Sequence, residues 1–463
     1  MIPLNTIAIF DIGKTNKKFF LIDEGYNIVL ERSVSFDEIK DEDNDDCDDV
    51  ELISHWVMET LGEVTGIKKF DIKAVNISAY GASLVYINEA GEVIAPLYNY
   101  LKRYSEKLKA ELYAKYGGEE KISCETASPV LGNLNSGMQL YRIKKEKPDL
   151  YKKIKYALHL PQFISYLITK EACSDITSIG CHTQLWNYQL RNYHEWVIRE
   201  GLEKKLAPVM SSGRVTEILF KDKKLLVGTG LHDSSAALIP YLAMFTEPFI
   251  LISTGTWCIS LNPFNAIPLT VDELRKDCLC YYEYHGRSVK ASRLFAGHEH
   301  EAEVKRIAKH FKKDADYYKK IKYNPTVIAS LKKSFKSESL NNNSVSELFQ
   351  FYFSKRNLSS FRNFEQAYHC LMLDIMDQQA ASTQLVMQRS DINRIFVDGG
   401  FSSNSIYMHL LSAAFPQFEV YAASVAQASA TGAALAIHNK WNPHPVPADM
   451  VKLKYYKLTD VLI

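Results

Sequence analysis

The residues best suited to chemistry in this chain stand in four short glycine-centred stretches. In the first, Asp11-Ile12-Gly13-Lys14-Thr15-Asn16-Lys17, Gly13 permits a tight turn whose following backbone N–H groups can surround a phosphate. Lys14, Thr15, Asn16 and Lys17 add cations and polar groups, and Asp11, at the end of an apolar run, can hold Mg²⁺ directly or through water. The second stretch, Gly228-Thr229-Gly230-Leu231-His232-Asp233-Ser234-Ser235, leads two glycines into a His-Asp pair where a small-residue helix begins. An Asp at such a place can cap the helix. It can also take the proton from a hydroxyl attacking phosphorus, which typically contributes about 10²–10⁴-fold in rate. His232 beside it either bonds an acceptor hydroxyl or is satisfied in the core. The third, Ser253-Thr254-Gly255-Thr256-Trp257, repeats the phosphate-turn design. The fourth, Asp398-Gly399-Gly400-Phe401-Ser402-Ser403-Asn404, sets two glycines before a helix, where backbone can approach a flat ring or a phosphate.

Other readings of these and neighbouring residues are weaker. Gly13-Lys14-Thr15 matches the end of a P-loop, but that motif needs Gly at position 8, which is Ala, and a helix next, where Lys-Lys-Phe-Phe-Leu-Ile-Asp is strand-like. Asp41, Asp43 and Asp45 open like a calcium loop, yet Asp46 and Leu52 stand where Gly and Glu are required. The acidic run 41–49 is therefore expected to be a solvated loop favouring the next helix N-terminus. Gly297-His298-Glu299-His300-Glu301 places its histidines too awkwardly for one ion, so a surface helix start is expected. The eight cysteines form no CxxC pair and no zinc-ligand spacing, and are expected to be reduced core thiols.

The elements that position these stretches follow from the apolar pattern. Residues 6–10, 17–23 and 27–36 read as three strands joined by tight turns, and 50–64 as a helix. Residues 74–97 alternate strand and glycine turn three times, and 105–235 read as mostly helical, with 155–169 the most apolar helix. Residues 248–264 repeat the opening strand–turn–strand plan. Residues 394–404 end a strand in a glycine pair, and 427–438 form a small-residue helix. The repeat implies two similar α/β domains, 1–240 and 241–463. Such a length also exceeds one ordinary core.

Fifty-five basic against 54 acidic residues leave a formal charge of +1, which supplies no net drive toward nucleic acid or anionic lipid. The opening residues carry no basic n-region, and no stretch reaches the roughly 18 apolar residues of a membrane span. A cytoplasmic protein acting on a small molecule is expected, with no nucleic-acid or membrane partner and a homodimer allowed.

Taken together, DIGKTN, GLHDSSAA, STGTW, DGGFSSN and the segment 125–187 resemble the FGGY carbohydrate kinases. That resemblance implies two ribonuclease-H-like, actin-like ATPase domains with a catalytic cleft between them, ATP mainly on the second and sugar mainly on the first. It implies ATP and Mg²⁺ as cofactors, with Asp11 at the metal and Asp233 as base. Gly13, Lys14, Thr15, Asn16, Lys17, Gly255 and Thr256 would serve the ATP phosphates, and Gly399, Gly400 and Asn404 the adenosine. Gly81, Arg103, His232 and Asp233 would meet the sugar. A His-Asp pair combined with Ser-x-Gly-Thr-Trp is similar to the L-rhamnulose and L-fuculose kinases, implying phosphorylation of a deoxyketose at O1. Other pentulose or hexulose kinases, and a catalytically inactive sugar sensor, are the alternatives. Two positions depart from the family pattern: Leu101-Lys102-Arg103 lacks the acid of Asp-x-Arg, and Leu294 replaces an amide-bearing residue. Both substitutions are expected to remove polar contacts to sugar hydroxyls.

Overall fold

A computed structural model describes residues 2–334, 352–388 and 391–457. Its first sheet starts from the N-terminal apolar run. Leu4–Ile12 (β1) and Lys17–Asp23 (β2) pair antiparallel, and Ile28–Val34 (β3) continues the meander on β2. Side chains alternate across a strand, so Ala8 and Phe10 enter one core cluster while Ile7 and Ile9 enter another. The helix Val50–Thr65 (α1) begins at Asp49, whose carboxylate accepts from two first-turn N–H groups, and buries a stripe of Ile53, Val57, Leu61 and Val64.

Phe70–Ala79 (β4) runs parallel to β1 on its other side. Then come Leu160–Thr169 (α2), the hairpin Val215–Phe220 (β5) and Lys223–Gly228 (β6), and Asp233–Met244 (α3). The sheet order is β5-β6-β4-β1-β2-β3, and Leu231–His232 pairs with β4. The expectation of a mostly helical 105–235 is corrected here. Residues 155–169 split into a strand, Tyr156–His159, and α2, because Pro161 sits in a helix's first turn and favours a start there. In place of the third strand expected in 74–97 stand two isolated bridges, Val93 with Ile87 and Leu97 with Asp48.

The second sheet repeats the plan. Phe249–Thr254 (β7), Cys258–Asn262 (β8) and Ser288–Leu294 (β9) form the meander. Ala296–His310 (α4) and Phe364–Met387 (α5) precede Arg394–Gly399 (β10), which runs parallel to β7. Ser405–Ala414 (α6) leads to Glu419–Ser424 (β11), parallel to β10. Ala428–Ala436 (α7) and Lys452–Tyr456 (β12), antiparallel to β11, follow. A further strand, Cys278–Tyr282, pairs with β9 at the sheet's edge, and the remaining order β9-β8-β7-β10-β11-β12 mirrors that of the first sheet. Tyr368, Leu371, Met372 and Ile375 of α5 pack with Ile250, Ile252 and Val397 of the strands.

The chain divides into two compact units, but not at one point. The first holds residues 1–244, 280–288 and 426–450; the second holds 245–279, 289–425 and 451–463. The contiguous halves 1–240 and 241–463 miss the return of α7 to the first unit. Its small residues explain that return: a Cβ on Gly432 would overlap the Ala236 carbonyl, so α7 and α3 touch backbone to backbone. Among the described residues, no helix is long and apolar enough to cross a membrane.

Candidate active site

Asp233 opens α3 directly after the short strand Leu231–His232. The backbone leading to it is anchored: Gly230 N–H donates to Asn76 Oδ1 (3.2 Å), and His232 N–H donates to Thr177 Oγ1 (3.0 Å). Asp233 Oδ1 accepts from the Ser234 N–H at 2.6 Å and lies 3.3 Å from His232 Nε2. Although 36% of its side-chain surface stays open, burial pushes the carboxyl up to about 6, against the Ser234 hydrogen bonds that favour the anion. Such a group can both accept and release a proton near neutrality. His232 is buried, and burial lowers its pKa to about 4, so the imidazole is neutral. Gly81 lies against its ring, since a Cβ at Gly81 would stand 2.7 Å from Nε2.

Asp11 ends β1 on the same sheet. Burial, and after it the nearby charge of Asp233, raise its carboxyl to about 6, while Ser429 Oγ donates to its Oδ2 at 2.8 Å. Strand register decides which lysine accompanies it. Lys18 is the cross-strand partner of Asp11, and its charge pulls the Asp11 pKa back down. Lys17, one residue earlier, faces the other way. Its side chain is 1% exposed, and its ammonium donates to Asp48 Oδ1 (2.8 Å) and to the Lys14 carbonyl (2.9 Å). Lys17 is thus turned away from any phosphate at Asp11, a correction to the expectation that it serves ATP. Lys14 donates to Asp48 Oδ2 and to Glu38, each at 2.6 Å. Thr15 and Asn16 are exposed, and Asn16 closes the turn through its carbonyl to Gly13 N–H at 3.0 Å.

Asp48 also accepts from Tyr80 Oη at 2.8 Å, next to Gly81. Burial alone would raise its pKa, but Lys14, Lys17 and Tyr80 together hold it below the carboxylate range. The acidic run is therefore not simply solvated. Asp48 is buried, and so is Asp41, whose carboxylate pairs with the buried Lys102 at 2.5 Å. Lys102 Nζ also lies within 2.9 Å of Asp43 and Asp45, so an ammonium stands among the carboxylates that resembled a calcium loop. Arg103 is exposed and makes no ion pair among the described residues.

In the second unit, the turn after β7 is closed by Gly255 N–H donating to the Trp257 carbonyl at 2.9 Å. Gly255, Thr256 and Trp257 are exposed. Thr254 Oγ1 donates to the Asp398 carbonyl (2.6 Å) and accepts from Phe401 N–H (3.0 Å), tying this turn to the glycine pair. Gly399 has φ +87°, a conformation that favours glycine. A cavity of about 740 Å³ opens beside them, lined by Gly255, Gly297, Tyr323, Gly400, Asn404 and His409 among others. Its volume lies within the usual range of small-molecule sites. Asn404 caps α6 through its carbonyl oxygen and donates its amide to Tyr368 Oη at 2.7 Å. His300 belongs to this cavity wall rather than to a surface: it is buried, with Nε2 3.0 Å from Tyr368 Oη. Leu294 is 2% exposed and packs in the second unit's core.

Two carboxyl groups of raised pKa near each other, one at a strand end, form a hard-oxygen set that suits Mg²⁺, which typically takes one or two carboxylates plus phosphate oxygens. Lys18, Asp48 and Ser429 escaped the sequence reading. Strand alternation from Asp11 could have found Lys18. Nothing local marks Asp48 or Ser429.

Residues 6–239 match the profile of the FGGY family of carbohydrate kinases, N-terminal domain, and 246–331 that of carbohydrate kinase FGGY, C-terminal domain. Among curated proteins, a rhamnulokinase of Halalkalibacterium halodurans is 23% identical over 278 residues, 56% of this chain and 54% of that protein. A rhamnulokinase of Mannheimia succiniciproducens is 21% identical over 55% of this chain and 52% of its own. The chain thus spans about half the length of the curated relatives it matches. A carbohydrate kinase from Novosphingobium aromaticivorans superposes with a TM-score of 0.79 at 21% identity, covering 99% of this chain and 95% of that one. A xylulose kinase from Rhodospirillum rubrum gives 0.79 at 13%, covering 98% and 94%. Those likenesses show the actin-like two-sheet fold, and the domain profiles, matched in chain order, make this chain a member of the FGGY family of carbohydrate kinases.

Proposed function

We propose that the chain transfers the γ-phosphoryl group of ATP to a hydroxyl of a ketose, a deoxyketose such as L-rhamnulose or L-fuculose at O1. The observation that carries this reading is Asp233: a carboxyl lifted to about 6, beside a neutral His232 and the side-chain-free wall at Gly81. The ketose lies against Gly81 and His232, and Asp233 accepts the proton of the attacking hydroxyl. Lys18 offers positive charge to the transferring group. The nucleotide is held by Gly255, Thr256, Gly400 and Asn404 around the cavity of the second unit. Asp11 holds Mg²⁺, with Asp233 close enough to share its field. When bound, the ion neutralises charge on the phosphate oxygens.

The deoxyketose assignment draws on the His232-Asp233 pair and on the relatives called rhamnulokinases. Leu294 no longer argues against it, because that side chain belongs to a core rather than to a polar site. The test is coupled ADP release with L-rhamnulose, L-fuculose, D-xylulose, D-ribulose, D-fructose and glycerol. Turnover confined to 6-deoxyketoses supports the assignment. Preference for D-xylulose overturns the sugar while keeping the kinase, and silence on every acceptor overturns both.

A further inference from the structure

Behind the proposed base lies a cluster of which the proposed phosphoryl transfer uses only His232. Cys181 and His182 follow one another in the chain, and the fold brings them to His232. One potential ligand atom from each lies within 4.8 Å of the others. Cys181 Sγ stands 3.7 Å from His232 Nε2. In a tetrahedral site with Zn–S near 2.3 Å and Zn–N near 2.0–2.1 Å, sulfur and nitrogen ligands stand about 3.6 Å apart. That edge is already formed, and a His182 ligand atom stands within 4.8 Å of both.

We propose that Cys181, His182 and His232 form a Cys-His₂ site for a thiophilic divalent cation, of which Zn²⁺ is representative, and that its occupation shuts off the site at Asp233. Ligand chemistry supports this in two ways. His182 Nδ1 lies 3.0 Å from the Leu134 carbonyl, which can only accept, so the proton is on Nδ1 and the lone pair on Nε2. Metal-bound histidines are commonly held in that way. A thiolate with two imidazoles also favours Zn²⁺ over Mg²⁺, which prefers oxygen ligands. The two proposed metal sites thus differ in donor type, oxygen at Asp11 and sulfur–nitrogen here.

Inhibition follows from position. Asp233 Oδ1 lies 3.3 Å from the same His232 Nε2. A cation there occupies the imidazole edge facing Gly81, the wall proposed to receive the ketose. The inhibitory half rests on the kinase reading. The binding half does not.

The test uses the reduced full chain and Co²⁺ as a spectroscopic substitute for Zn²⁺. We expect the wild type to give a thiolate-to-cobalt charge-transfer band that Zn²⁺ abolishes. Cys181→Ser removes the band, and His182→Ala weakens binding by at least about tenfold. A wild type without the band, or a band that survives Cys181→Ser, overturns the site. Zn²⁺ inhibition of ADP release is then compared with each variant's own zinc-free rate. Inhibition competitive with ketose in the wild type and weakened at least about tenfold in Cys181→Ser supports the regulatory half. Equal inhibition in both overturns it. A chain that shows the band yet phosphorylates no acceptor keeps the site and refutes the kinase reading instead.

Discussion

The turn after β1 and the turn after β7 occupy equivalent places in two sheets of the same strand order, yet they are built from opposite materials. The first is charged and braced. Lys14 and Lys17 both reach Asp48, which also takes Tyr80, so one buried carboxylate joins the turn to the wall at Gly81. The second is neutral and open. Gly255, Thr256 and Trp257 are exposed, and rigidity comes from backbone proximity instead, because a Cβ on Gly297 would overlap the Gly255 carbonyl. Duplicated architecture thus permits divided labour. One turn gathers its lysines on a buried carboxylate, and the other stands uncharged beside a cavity of about 740 Å³.

If the chemistry resides in the first unit, Asp233→Asn has the largest effect. It lowers kcat by about 10²–10⁴-fold while leaving the thermal unfolding midpoint nearly unchanged. Retention of more than a tenth of wild-type turnover breaks the comparison at its centre.

The brace is tested by Asp48→Ala. Lys17 is 1% exposed and loses its carboxylate partner, an uncompensated buried charge that costs about 3–5 kcal/mol. Chemical denaturation reads this directly, and a loss below about 1 kcal/mol, the worth of a surface pair, denies the turn its buried anchor.

Gly297→Ala probes the neutral turn. Alanine in a helix ordinarily gains up to about 1 kcal/mol over glycine, but here the carbon added in α4's first turn meets the Gly255 and Thr256 backbone of the turn after β7. We expect a net loss of about 1–3 kcal/mol, with KM for ATP raised more than KM for the ketose. A stabilised variant shows that the close approach is dispensable.

The mildest prediction concerns pH. Asp233 must be ionised to accept a proton, and its pKa is pushed up to about 6. Below that value the protonated form dominates and kcat/KM falls about tenfold per pH unit; above it the rate levels off. A profile flat down to pH 5 sinks the assignment of a burial-raised base.

Much of the fold was legible in the residues. Apolar alternation and glycine turns are local signals, and they revealed the first meander, the β7–β8 hairpin, α1, and the helix after the Gly399-Gly400 pair, but not β9. The His232-Asp233 and Gly-Thr motifs were legible for the same reason, since a turn's chemistry lies within a few neighbouring residues. Less visible was the direction in which charged side chains point. Lys17 and Lys18 look interchangeable in the chain, but the pleat sends one into a buried pair with Asp48 and sets the other beside Asp11.

What the amino-acid order determined by itself, then, was the repeated strand–turn–strand plan and the residue types at its turns, because both arise from interactions between near neighbours. Only tertiary structure decided that a run of acids would be drawn inward by Lys102, Lys14 and Lys17, that α7 would rejoin the first unit through Gly432, and that Cys181 and His182 would meet His232. Each of those contacts joins residues far apart in the chain, and burial and charge pairing select them only once the sheets have formed.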